Sequence, residues 1–181
     1  MKGIIFNSLE RFIITHYGED TLDEIMENCS LDTQDPFVGP GTYPDQDFSK
    51  LIQSTIQQLG TSRKAFMVHF GQYTFDELKT RHPNFLVKYD HPKAFLLTVE
   101  SIIHVEVEKL YNGTYLPTFQ YHSPSPQELT ITYYSKRKMY DLMEGIINGV
   151  AEHFSIGIQQ TRHIYKKEGQ EFCDFYLKFD E

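Results

Sequence analysis

The sequence predicts an α+β fold, in which a helical N-terminal part is followed by a strand, a long helix and a terminal hairpin of an antiparallel sheet. Three observations carry this. Roughly the first 110 residues repeat apolar side chains at the three-and-four spacing of a helix face. Residues near 130, 160 and 175 alternate apolar and polar like half-buried strands. Between those strands runs one long stripe of helical period.

The first helix is read from Ile4, Ile5, Leu9, Phe12, Ile13 and Tyr17, with Gly18 placed to stop it. Thr21, with Glu24 three residues on, is the expected cap of a second helix through Leu22, Ile25 and Met26. Pro36 to Pro44 holds three prolines and two glycines, a loop and candidate hinge. Phe48, Leu51, Ile52, Thr55, Ile56 and Leu59 mark a helix ending at Gly60. Ser62 can cap the next, whose Phe66, Phe70, Thr74 and Leu78 fall four apart. Pro83 and Pro92 suit helix starts, and from Pro92 a helix with Leu96, Val99, Ile103, Val107 and Leu110 is expected to run unbroken toward Gly113. Leu129 to Tyr133 alternates as a strand. Met139, Leu142, Met143, Ile146, Ile147, Val150 and Phe154 give the cleanest helical stripe. Ile156 to Tyr165 and the set Cys173, Phe175, Leu177, Phe179 form the two strands of a hairpin turning through Lys166, Lys167 and Gly169.

At 181 residues and 21.2 kDa the chain should bury on the order of 70% of its unfolded surface, enough for one core. Hydrophobic residues at 40% and charged residues at 23% exclude disorder, and no apolar run is long enough for a membrane helix. Seventeen Lys and Arg against 25 Asp and Glu leave a net charge of -8, which disfavours nucleic acid as a partner. Two distant cysteines, Cys29 and Cys173, suggest a cytoplasmic, reducing setting and supply no close-spaced metal ligands. The Met1 to Arg11 segment is broken by Glu10 and Arg11 before it could act as a signal peptide. No nucleophile elbow, phosphate loop, HExxH or paired CxxC occurs, so no intrinsic catalysis is expected.

Eight histidines stand out. His104 lies inside an apolar helical stripe, where it is either a hydrogen-bonded core residue or an imidazole ligand facing an apolar cavity, as a haem iron requires. Of the others, His82, His91 and His122 are expected to be exposed, and His16, His69, His153 and His163 show no mutual ligand spacing. Tyr133, Ser135 and Arg137 are two apart on an extended segment, so three donors converge on one side, a set suited to carboxylates. The plainer alternative makes Ser135 a cap for the next helix and Arg137 a solvated charge. Gly145 and Gly149 offer a flat helix face, either for a bulky ligand or for another helix.

His104, Pro117 and the Tyr133-x-Ser135-x-Arg137 motif form an ordered set. With them, and over essentially its whole length, the chain resembles the H-NOX family, the haem-nitric oxide/oxygen binding domains related to the haem domain of soluble guanylate cyclase. The resemblance implies a single domain, 1–181, of the stand-alone bacterial type. A helical lobe, 1–60, would precede the haem-ligating helices and sheet, 61–181, with haem b (protoporphyrin IX) held between. It makes His104 the axial iron ligand, Tyr133, Ser135 and Arg137 the propionate donors, and Pro117 with Ile5 the residues that distort the porphyrin. Leu142, Ile146, Thr74, Leu78 and Leu9 match positions of the distal gas pocket. Oxygen-binding relatives carry a tyrosine where this chain has Leu142, and Tyr140 should point away from that face. The implied function is therefore a sensor of nitric oxide and carbon monoxide that excludes oxygen. Its output would pass to a separate histidine kinase or diguanylate cyclase. The alternatives are an oxygen sensor or carrier using Thr74 or Tyr140, and a haem-free interaction domain. The zinc ligands of some relatives are replaced here by Met139, Arg162 and Tyr165, leaving Cys173, so no zinc is expected.

Overall fold

The computed structural model describes residues 1–180. Helices α1 (Gly3–Tyr17), α2 (Glu19–Glu27), α3 (Asp45–Leu59) and α4 (Arg63–Arg81) come first, then a 3-10 turn (Pro83–Phe85), α5 (Pro92–Leu96), a π turn (Val99–Ile103) and α6 (His104–Leu110). Strands β1 (Thr118–Ser125) and β2 (Glu128–Tyr134), helix α7 (Tyr140–Phe154) and strands β3 (Ile158–Lys167) and β4 (Gln170–Phe179) complete the chain. The fold is α+β, as expected.

Local chemistry explains most boundaries. Gly18 (φ 95°) and Gly60 (φ 61°) end α1 and α3 in backbone conformations that a side chain would strain. Ser62 caps α4 by accepting the Ala65 N–H at 3.1 Å. Thr21, expected as the cap of α2, lies inside that helix instead and donates to the Tyr17 carbonyl at 2.7 Å. Gly18 reverses the chain early, and Glu19 and Asp20 then occupy the first turn, where acidic groups favour the helix dipole. The proline-rich loop closes onto α1, accepting from Gly3 N (2.9 Å to Gly41 O) and Ile4 N (3.1 Å to Gly39 O).

The expected single helix from Pro92 is broken. Thr98 Oγ1 donates to the Phe95 carbonyl at 2.7 Å, taking an acceptor that the helix ladder needs. After it, the chain unwinds into the π turn, with Ile103 N bonded to Thr98 O and His104 N to Val99 O.

The sheet is antiparallel throughout, in the order β1-β2-β4-β3. Leu129, Ile131 and Tyr133 of β2 and Cys173, Phe175, Leu177 and Phe179 of β4 are buried on one face. The β3–β4 hairpin turns through Glu168 (φ 52°) and Gly169 (φ 78°), the paired left-handed residues of a two-residue loop. Strand β1 was not legible in the sequence. It buries one apolar residue, Phe119, with Tyr121 half-buried, too short an alternation to register.

Two hydrophobic cores share α4. Phe66, Met67 and Phe70 pack with α1, α2 and α3, whereas Phe75 packs with α7 and the sheet. Helix α7 crosses α4 at Gly145 and Gly71, so closely that a Cβ on Gly145 would lie 2.0 Å from the Val68 carbonyl oxygen. A Cβ on Gly149 would meet the Phe75 ring at 2.9 Å. Both glycines therefore serve helix packing rather than the approach of a flat ligand. Among the described residues, no helix is long and apolar enough to cross a membrane.

Candidate functional site

A cavity of about 320 Å³, mostly apolar in its lining, lies where the two cores meet. Its size and lining are those of a small-molecule or cofactor site. Ile5 from α1, Thr74 and Leu78 from α4, Leu142 and Ile146 from α7, and Pro117 before β1 all line it. Tyr133, Ser135, Arg137 and His104 line it as well. Leu9, expected in the same pocket, does not. It lies one turn on from Ile5 on the same side of α1, but is 1% exposed and packs wholly in the N-terminal core.

His104 opens α6, directly after the π turn. Its side chain is 16% exposed, and Nδ1 lies 3.1 Å from Glu100 Oε2. Burial pushes its pKa below the ordinary histidine value, with the Glu100 carboxylate pulling the other way. The ring is thus a neutral imidazole with one nitrogen engaged and the other free, the form a metal binds.

Strand β2 carries Tyr133 and ends at Tyr134; the expected extended segment stops there, and a turn closed by the Lys138 N–H on the Ser135 carbonyl (3.2 Å) brings Arg137 to the same cavity as Tyr133 and Ser135. Tyr133 and Ser135 are each 3% exposed. Ser135 does not cap α7, which begins five residues later; its Oγ accepts the Arg137 N–H at 3.2 Å. Nor is Arg137 a solvated charge. Its Nε and Nη2 donate to Asp45 at 2.8 and 3.0 Å, and Nη1 donates to the Tyr115 carbonyl at 2.6 Å. Asp45 also meets the amino terminus at 2.7 Å, and these cations hold its carboxyl below the usual range although burial pushes it up. A guanidinium carries five N–H groups, so two remain for an anion.

On the α4 and α7 side, Thr74 Oγ1 donates to the Phe70 carbonyl at 2.8 Å, so its proton is committed within the helix. Leu142, Ile146 and Leu78 have no polar atoms to offer. Tyr140 turns away from the cavity and donates to Glu171 Oε1 at 3.0 Å.

A family model described as haem-NO-binding matches residues 2–162. The chain belongs to the haem-NO-binding family. Among solved structures, it is 28% identical to the unliganded Fe(II) H-NOX protein from K. algicida, with a TM-score of 0.89, covering 100% of this chain and 97% of that one. The S. oneidensis H-NOX protein in its Fe(II)NO state is 26% identical, with a TM-score of 0.89 and full coverage of both chains. The Shewanella oneidensis H-NOX domain in the Fe(II)CO state is 27% identical, with a TM-score of 0.87 and 99% of each chain covered. Soluble guanylate cyclase gcy-32 of Caenorhabditis elegans is 23% identical over 163 residues, 84% of this chain but only 23% of the cyclase's length.

Haem-NO-binding domains are haem-based gas sensors, and the residues of this chain fit the group. A free imidazole nitrogen, apolar walls and a tyrosine, serine and arginine with N–H capacity to spare border one cavity. Sequence reasoning missed Glu100, whose carboxylate reads as a surface charge until its partner is seen. It also misplaced two histidines. His82 is half-buried, lines the cavity and stacks on Phe85 at 5.1 Å; as the C-cap of α4 it stands about 12 Å along the axis from Thr74. His91 is half-buried too, and its Nδ1 accepts the Lys93 N–H to cap α5. His16 and His69, distant in sequence, meet with ring centroids 4.7 Å apart. Where some relatives hold zinc, Arg162 bridges Asp141 (2.6 Å) and Glu144 (3.2 Å), tying β3 to α7, while burial pushes the Cys173 thiol up to about 11.

Proposed function

We propose that this haem-NO-binding domain holds haem b through His104 and senses nitric oxide, binds carbon monoxide as well, and retains oxygen poorly. One observation carries the reading: the largely buried His104 imidazole shares an apolar cavity with Tyr133, Ser135 and Arg137. When bound, the haem supplies a ferrous iron at which nitric oxide binds strongly without a hydrogen-bond donor, whereas oxygen needs one. His104 Nε2 would hold the haem iron. Tyr133 and Ser135 donate hydroxyls, and Arg137 its two remaining N–H groups, to the propionates. Pro117 and Ile5, in the cavity walls, would press on the porphyrin. Leu142, Ile146 and Leu78 border the gas site, and the Thr74 hydroxyl is spent on Phe70, so no donor is aimed at bound oxygen from these positions. The domain performs no catalysis of its own and transfers its signal to an effector of the histidine kinase or diguanylate cyclase class implied by the resemblance.

Replacing His104 by glycine tests the ligand assignment. The purified variant is expected to lose haem and regain it when free imidazole is supplied. Haem content unchanged from the wild type without imidazole would refute the assignment.

A further inference from the structure

The His104 imidazole is held by Glu100, a residue that is bonded to β1 through both its carboxylate and its backbone N–H. Glu100 lies one turn earlier, in the π turn, and its Oε2 is 3.1 Å from His104 Nδ1. The same oxygen accepts the backbone N–H of Phe119 on β1 at 3.1 Å. The Glu100 backbone N–H donates to the Tyr121 hydroxyl, also on β1, at 3.3 Å. Packing reinforces these bonds, since the His104 and Phe119 rings lie with centroids 5.0 Å apart.

The chemistry follows from the donor inventory. An ionised carboxylate only accepts, so the proton between the two groups belongs to Nδ1, and Nε2 presents a lone pair to the cavity. A carboxylate on the far nitrogen of a ligating histidine fixes its tautomer and ring orientation and raises its basicity. Bonding to charged acceptors is also stronger than to neutral ones.

We propose that Glu100 is the positioning residue of His104, making its imidazole a stronger axial donor and coupling it mechanically to β1. The inference rests on the reading of His104 as the iron ligand. It also gives the signal a route. Strand β1 is at the free edge of the sheet, next to β2 alone, so any shift of His104 must either break the bonds through Glu100 or pull on the Phe119 amide. The π turn is the segment able to absorb or pass on such a shift, because its ladder is already irregular.

The test is the iron–histidine stretching band of the ferrous, haem-loaded protein, read by resonance Raman. Glu100→Gln keeps the shape and an acceptor oxygen but removes the charge, and should shift the band to lower frequency. Glu100→Leu removes the acceptor and should shift it further, with a loss of haem affinity of about 10–100-fold. Glu100→Asp, which keeps the charge on a shorter stem, should recover part of the wild-type band. Bands identical to wild type in both the Gln and Leu variants would overturn the role of Glu100 while leaving His104 as ligand. No iron–histidine band in the wild type would overturn the ligand itself. A measurement on the wild type alone covers variants that fail to fold. In the diamagnetic carbon monoxide complex, the His104 Nδ1 proton should resonate far downfield and exchange slowly, and an ordinary, fast-exchanging proton would contradict the proposal.

Discussion

Helices α4 and α7 and, on the His104 side, α6 with β1 contribute to one cavity but are built on different terms. Where α4 and α7 cross, Gly71 and Gly145 bring two long regular helices into backbone contact, and the cavity receives Leu78, Leu142, Ile146 and a threonine whose proton is already used. On the His104 side a five-residue helix, a π turn and a seven-residue helix replace the single helix expected, and the polar groups are bonded across to a strand. Close packing resists displacement; a short helix leaning on an edge strand does not. Under the proposed function, ligand selection would belong to the stiff wall and signal output to the compliant one.

The largest predicted effect strikes the stiff wall. Gly145→Val drives a side chain into the Val68 carbonyl, and should cost about 3 kcal/mol or more. That corresponds to a Tm drop of about 6–12 °C for a domain of this size. A thermal melt with unchanged Tm would show that the crossing is loose. Leu142→Tyr adds a donor to the same wall without touching the other. A bond of about 1.5–3 kcal/mol to bound oxygen should slow oxygen release by roughly 10–150-fold. Stopped-flow measurement of oxygen dissociation checks this, and a variant that still fails to hold oxygen would mean that the phenol does not reach the gas. Thr74→Val is the smallest change. With its proton committed to Phe70, loss of the hydroxyl should leave carbon monoxide and oxygen affinities within about twofold, and a larger shift would show that Thr74 turns toward the ligand.

The sequence displayed the stiff wall better than the compliant one. Leu142, Ile146 and Leu78 belong to long periodic stripes, and period is what regular helices write into a chain. Tyr133, Ser135 and Arg137 were legible as a spaced set of donors, although a turn and not an extended strand delivers Arg137, and His104 was legible because a polar residue interrupts an apolar stripe. Glu100 escaped notice, since a carboxylate on a helix is ordinarily solvated and its value here comes from β1, itself too short in pattern to be read. The break at Thr98 was hidden for a related reason: the hydroxyl's choice of a backbone partner leaves the hydrophobic spacing intact. Leu9 shows the opposite case, a position carried over by resemblance that shares Ile5's side of α1 yet is buried in the N-terminal core, a depth that helical period alone does not encode.

Absorption spectra of the purified ferrous protein, first without gas, then in air-saturated buffer and then with nitric oxide, test the central claim most directly. Haem held by His104 among walls that offer oxygen no free donor predicts a nitric oxide spectrum at once, and no stable oxygen complex in air. A persistent oxygen complex of the wild-type protein would contradict the account.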